Sequence, residues 1–268
     1  MKNKKKYFVV VLFSLLLVAL TGCSSNSNSK KENPLPSAKT ILTNAQKTKF
    51  QSMHATWSEN SKNEVVQKAE AQYVKDPTVI FANVSTNSNH YQMWIEGKNN
   101  YIQMKGTNSN HWFKTKLSKA SSYSTLTDSL GTMLTPFIGT SKLFKVQQTG
   151  NSYALKYNGN SKQIWNAIIS DSAITSLIGI DLDDVKPINN NIQIDVDKNY
   201  SVNDIKIAST YKDDGKQKTF TMKVDQIDQI KNLTVPTSVK KSAVDLGTIN
   251  KNNGSLSNGV DKSQLKIK

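Results

Sequence analysis

The sequence predicts an α+β fold in which a large curved antiparallel sheet carries helices on one face. Three observations predict it. Most of the chain alternates apolar and polar residues with a period of two, and Asn/Gly/Asp turns separate the runs. Two segments with helical spacing interrupt the alternation in mid-chain. No βαβ alternation occurs, so the sheet is not of the parallel, doubly wound kind.

The elements follow in order. Ser37 is placed to cap a helix carrying Ile41, Leu42, Ala45 and Thr48. Met53, Ala55 and Trp57 then alternate with polar residues, as do Ala69, Ala71 and Tyr73 after a turn near Asn60–Asn63. A more continuous apolar strand covers 78–85. Tyr91, Met93 and Ile95 come next, then strands at 101–104 and 111–115. Together these form a meander of about six strands. Leu126, Leu130, Met133, Leu134, Phe137 and Ile138 share one helical face, with Pro136 expected to kink or end it. A hairpin at 144–148 and 153–157 leads to a second helical face made by Trp165, Ile168, Ile169, Ala173 and Leu177, with Gly179 as its stop. Strands resume at 192–196, 202–211 and 220–224. The turns between them are at Lys198-Asn199 and Asp213-Asp214-Gly215, and the pattern ends at Val235-Pro236.

The two ends of the chain read differently. Lys2, Lys4, Lys5 and Lys6 precede a 14-residue apolar run at 7–20, which closes in Leu20-Thr21-Gly22-Cys23. A bilayer-spanning helix takes about 20 residues, so basic, apolar and small residues in that order predict an export signal over 1–22. The four closing residues resemble the lipobox of bacterial lipoproteins. That resemblance implies cleavage before Cys23, a diacylglycerol on its thiol, and a protein held on the outer face of the cell membrane. Residues 24–36 are Ser, Asn, Lys and Pro, a composition that reads with Cys23 as a flexible tether over 23–36. The folded domain is expected over 37–246, followed by a disordered polar tail at 247–268.

Composition excludes several function classes. Cys23 is the single cysteine, so disulfides, cysteine nucleophiles and thiolate metal sites are ruled out for the exported part. The net charge is +15, carried by lysine with no arginine at all. Lysine spread along the chain, without the arginine that reads bases and phosphates bidentately, argues against nucleic acid. It fits an anionic membrane surface or wall polymer.

The order of elements is similar to that of the half-barrel lipoproteins related to LolA, LolB, LppX and LprG, and more closely to Gram-positive surface lipoproteins of that superfamily. Three segments carry the resemblance: the strand-turn-strand run 91–102 leading to His111-Trp112-Phe113-Lys114, the strand end and turn at 194–200, and Leu233-Thr234-Val235-Pro236-Thr237-Ser238-Val239. The resemblance implies a half-barrel curled around helices on its concave face, enclosing an apolar cavity that takes a lipid or lipid-linked ligand. The cavity candidates are Phe81, Met93, Met104, Leu126, Leu130, Leu134, Phe137, Trp165, Ile168, Ile169 and Met222. The same side chains would serve equally well as a filled core, and a module binding a protein or an anionic wall polymer is then the alternative.

No catalytic or metal chemistry is legible. Asp181, Asp183 and Asp184 suggest calcium, but the sixth and twelfth positions of such a loop hold Lys186 and Ile192. His54, His90 and His111 fall in no HExxH pattern, and no serine lies in a nucleophile motif. Trp57, Trp94, Trp112 and Trp165 could stack on sugars, although aromatics on strands more often pack. The expectation is therefore a binding protein with no cofactor and no enzymatic activity.

Overall fold

The structure is a computed structural model. It describes residues 34–48, 50–62, 64–87, 89–105, 111–117, 133–170 and 185–248. Cys23, the terminal segments, Leu126, Leu130 and the acidic cluster at 181–184 lie outside the described residues. All described elements fall within the unit Leu35–Lys268.

The chain opens with α1 (Ala38–Ala45). The Ser37 side chain caps it by accepting from the Thr40 amide at 3.1 Å. Ala38, Ile41, Leu42 and Ala45 form its buried stripe, at the spacing one helix face requires. A six-strand meander follows: β1 (Ser52–Ser61), β2 (Glu64–Val74), β3 (Val79–Thr86), β4 (His90–Glu96), β5 (Asn99–Lys105) and β6 (Trp112–Lys116). Next come a short helix α2 (Thr135–Gly139) and a 3₁₀ turn at Ser141–Leu143. The second meander contains β7 (Lys145–Thr149), β8 (Ser152–Gly159), helix α3 (Lys162–Ile169), β9 (Lys186–Asp197), β10 (Val202–Asp213) and β11 (Lys216–Asp225). Helix α4 (Thr237–Ser242) and β12 (Val244–Thr248) close the described chain.

Among the described residues, twelve strands join one sheet in the order β12-β6-β5-β4-β3-β2-β1-β11-β10-β9-β8-β7. The two meanders are stitched together where β1 pairs antiparallel with β11. β7 and β12 lie at opposite ends of that order, so the sheet stays open. With α1, α2 and α3 packed on one face, the protein is an α+β open half-barrel. The β10–β11 hairpin shows how the sequence sets register. Asp214 and Gly215 take φ of 47° and 75°, the left-handed pair that a two-residue turn needs to match strand twist.

Alternation along the strands sorts residues between the two faces. Trp57, Met222, Ile207, Ile192 and Tyr157 lie side by side across β1, β11, β10, β9 and β8. All five belong to the main core, together with Ile41, Leu42, Leu134, Phe137, Ile164 and Ile168 from the helical segments. The Leu134 amide donates to Gln46 Oε1 at 3.1 Å and ties the start of α2 to the end of α1.

Pro136 stands in the first turn of α2, where its missing N–H costs nothing; the part of the expected helical face before Met133 lies outside the described residues. Two expectations are corrected. The pattern does not end at Val235-Pro236, because α4 and β12 follow. β12 runs parallel to β6, so the sheet is mixed at that edge. Val235 and Val239 pack with Tyr101, Trp94 and Trp112 in a second cluster on the opposite face. Ion pairs Lys240–Glu96 (2.7 Å) and Lys114–Asp245 (2.9 Å) fasten the segment there.

Candidate ligand-binding site

Among the described residues, two clefts stand out. One, of about 400 Å³, lies between α3 and the start of β9 and is lined by Lys162, Trp165, Asn166, Ile169, Val185, Lys186 and Pro187. The other, of about 550 Å³, lies at the tips of the β1 and β11 strands, where its walls are Asn60, Lys62, Gly215, Lys216, Gln217 and Thr219. The second has no large apolar side chain and suits only polar contacts.

The α3 cleft is built by local rules. Ser161 caps α3, accepting from the Gln163 amide at 3.2 Å. Its own amide donates to Tyr157 Oη at 2.8 Å, which fixes the helix start against β8. Gly159 is needed for this, since a Cβ there would stand 2.8 Å from that hydroxyl. The helix buries Ile164, Trp165, Ala167 and Ile168, while Ile169 stays half-buried at the cleft.

Behind Trp165 lies a charged network. The Trp165 and Tyr211 ring centroids are 5.6 Å apart at 45°. Tyr211 is fully buried, and its hydroxyl donates to Glu59 Oε1 at 2.7 Å. Lys218 Nζ lies 3.0 Å from the same carboxylate and 2.6 Å from Asp213. Burial, then the bond to Glu59, push the Tyr211 hydroxyl far above its ordinary value, so it stays a proton donor. Burial works against the Lys218 charge, but its bonds to Asp213 and Glu59 outweigh this and raise its pKa.

The outer face carries a second network. His54 Nδ1 lies 2.6 Å from Asp225 Oδ1, His54 Nε2 lies 3.2 Å from Glu70 Oε1, and Lys223 lies 2.6 Å from Asp225. Burial opposes the Asp225 charge, yet hydrogen bonds from Lys223 and His54 prevail and hold the carboxyl below its ordinary 3.8. A depressed carboxylate stabilises the fold above its unfolded value, and that stability is lost as pH falls through the folded one. Asp225→Asn is therefore expected to lower stability by about 1 kcal/mol at pH 7. The gap to wild type should begin to narrow below about pH 4 and shrink further as pH falls through the folded value. Urea melts at pH 7 and pH 3 would check this; a gap at pH 3 as large as at pH 7 contradicts it.

The structure places the sequence-predicted cavity residues unequally. Trp165 and Ile169 line the cleft. Leu134, Phe137, Ile168 and Met222 are 0–3% exposed and fill the core, with Met93 half-buried against them. Phe81 lies on the opposite face, its ring 4.6 Å from Trp94, so it cannot line a concave-side cavity. Even-numbered β3 residues (Ile80, Ala82, Val84) take the core positions, which forces Phe81 outward. Met104 pairs with Tyr91, but its side chain lies outside the described residues, as do Leu126 and Leu130 altogether. Among the described residues no cluster of His, Cys, Asp and Glu could hold a metal, and no helix is long and apolar enough to cross a membrane.

Sequence reasoning missed Lys162, Val185, Lys186 and Pro187, which a turn and a strand start bring to α3. It also missed Glu59 and Tyr211, although Glu59 continues the inward series Met53, Ala55, Trp57 and was readable as a polar break in it.

Residues 26–244 match the model of DUF6612, a family of unknown function. The chain belongs to that family. No protein of curated function matches the sequence. Among solved structures, this DUF6612 chain is similar to a DUF1329 family protein from Desulfovibrio piger, at 7% identity and a TM-score of 0.24, over 74% of this chain and 93% of that one. It is also similar to a LolA superfamily protein from Nitrosomonas europaea, at 8% identity and a TM-score of 0.21, over 76% and 97% of the two chains.

Proposed function

We propose that the protein is a membrane-anchored surface lipoprotein that binds an apolar chain at the rim of its half-barrel. One observation carries the reading. The cleft between α3 and β9 has apolar walls (Trp165, Ile169, Val185, Pro187) and two lysines, Lys162 and Lys186, in its lining. Its volume, about 400 Å³, falls in the range of small-ligand sites. Binding is passive: apolar area removed from water contributes about 25 cal/mol per Å². The lysines attract an anionic end of the ligand. No catalytic step is invoked.

Ile169→Trp tests the reading. A half-buried residue at an open cleft should accept the larger ring with under about 1 kcal/mol lost, because nothing is overpacked. Uptake of palmitate, followed by displacement of a fluorescent fatty acid, should fall at least about tenfold. A second reading is favoured by the closure of the core around Leu134, Phe137, Ile168 and Met222. It holds that the domain takes no ligand and binds a protein or anionic wall polymer. On that reading the wild type takes up no palmitate. The anchor is a separate part of the proposal: metabolic palmitate labelling should mark a mature chain beginning at Cys23, and an unlabelled one removes the anchor.

A further inference from the structure

The outer face of the second meander carries a row of lysines that packing does not explain. Lys145 on β7 pairs with Lys156 on β8, and Lys156 with Gln193 on β9. Gln193 pairs with Lys206 on β10, and Lys206 with Lys223 on β11. The lysines thus stand in one line across the strands, over roughly 19 Å at the usual strand spacing. All four are exposed, while Leu155, Ile205, Ile207, Met222 and Val224 beside them face the core. Two of the register pairs, Lys145–Lys156 and Lys206–Lys223, set like charges directly opposite, which destabilises a sheet. Asp204 and Asp225 answer Lys206 and Lys223, at 3.0 and 2.6 Å. Asp195, the next carboxylate of that band, accepts from the Gln193 amide at 2.8 and 3.0 Å. Lys145 and Lys156 have no ion pair among the described residues, and residues 133–170 contain no Asp or Glu. A lysine on an edge strand guards that edge against pairing. This accounts for Lys145 but not for Lys156, whose strand lies between β7 and β9.

We propose that this row docks a flexible anionic polymer, with Lys145 and Lys156 as its strongest contacts. Charge selects an anion: a polymer charge placed between Lys145 and Lys156 relieves their repulsion, and no neighbouring carboxylate competes for it. Shape selects a chain over a plane. The row crosses the strands, so it follows the curl of the half-barrel on its convex side. A bilayer would touch such a surface along a line parallel to the strands and reach only part of the row. A flexible chain can follow the curve and meet all of it. Beside the row, the exposed amides of Asn158 and Asn191 stand opposite each other and offer neutral donors and acceptors to the same chain. This half of the outer face is also open. The other half is occupied, because Val235, Val239 and Ala243 pack on Tyr101, Trp94 and Trp112. The proposal is independent of the apolar cleft, which α3 forms on the concave side.

The test uses the full chain in phosphatidylcholine nanodiscs and an end-labelled poly(glycerol phosphate), with binding read by fluorescence anisotropy over a range of salt concentrations. The double variant Lys145→Gln/Lys156→Gln should weaken binding at least about tenfold and flatten the slope of log K against log salt by roughly 0.7 per lysine removed. Its Tm should hold or rise, since a like-charge pair is removed, so unfolding would not account for the loss. The control double variant Lys98→Gln/Lys241→Gln makes the same change in net charge at exposed positions off the row and should bind like wild type. Vesicles of phosphatidylglycerol should not displace the polymer. Equal weakening in the two double variants overturns the proposal, because it shows attraction by net charge without a site. Absence of polymer binding to wild type at physiological salt overturns it as well. Displacement by the vesicles also overturns it and assigns the row to the membrane surface.

Discussion

Lys218→Met is expected to lose about 3–5 kcal/mol of unfolding free energy, the cost of removing one partner from a buried ion pair. Glu59 is only 5% exposed and accepts from two groups, Tyr211 Oη at 2.7 Å and Lys218 Nζ at 3.0 Å. Without the lysine its carboxylate stays buried with one neutral donor. Asp213 loses its 2.6 Å partner in the same substitution. Replacing Glu59 by leucine as well should recover part of the loss, because the buried carboxylate is then gone, while Asp213 keeps partial access to water and the Tyr211 hydroxyl loses its acceptor. The pH sign follows from the raised Lys218 value. Its stabilisation is present below the ordinary 10.5 and is lost only as pH rises through the folded value, so the difference from wild type should hold across pH 6–9. Urea unfolding at pH 7 measures it. A loss under about 1 kcal/mol would mean that the pair is solvated like a surface bridge.

Phe137→Ala is expected to cost about 3–5 kcal/mol, the usual range for emptying a buried aromatic position. Its ring is 2% exposed and meets Phe144 edge-on, at 6.1 Å and 87°. Phe144 in turn lies 6.1 Å from Tyr157, whose hydroxyl holds the start of α3. The cavity cannot collapse easily, because α2 has only five residues and is tied to α1 through Gln46. Tm should fall roughly 6–20 °C for a domain of this size. Thermal unfolding followed by near-ultraviolet circular dichroism would check it. A fall of less than about 3 °C would show that the helices are loosely docked.

The fold was largely legible because one face of most strands is buried, so alternation survives in the sequence. Ile192, Ile194 and Val196 alternate cleanly, and all are 0% exposed. Ser37 announced α1 because a cap needs a side-chain acceptor and an apolar face needs Ile41, Leu42 and Ala45 at helical spacing. The C-terminal segment was not legible. A six-residue helix and a parallel edge strand are stabilised by Tyr101, Trp94 and Trp112, which are remote in sequence, and carry little period of their own. Phe81 shows the limit of residue type as a guide: its size suggested an inward position, but its parity in β3 sent it outward. The site was half legible. Trp165 and Ile169 follow from the α3 face, whereas Val185–Pro187 reach it only through sheet register. Glu59 is a polar residue at an inward position of an otherwise apolar series, a signal the sequence contains.

Native mass spectrometry of residues 24–268, purified from a bacterial host without strong detergent, tests the binding claim most directly. The account predicts a co-purified acyl species of defined mass that is lost in Ile169→Trp. A clean apo mass, with no lipid taken up on incubation, would contradict it.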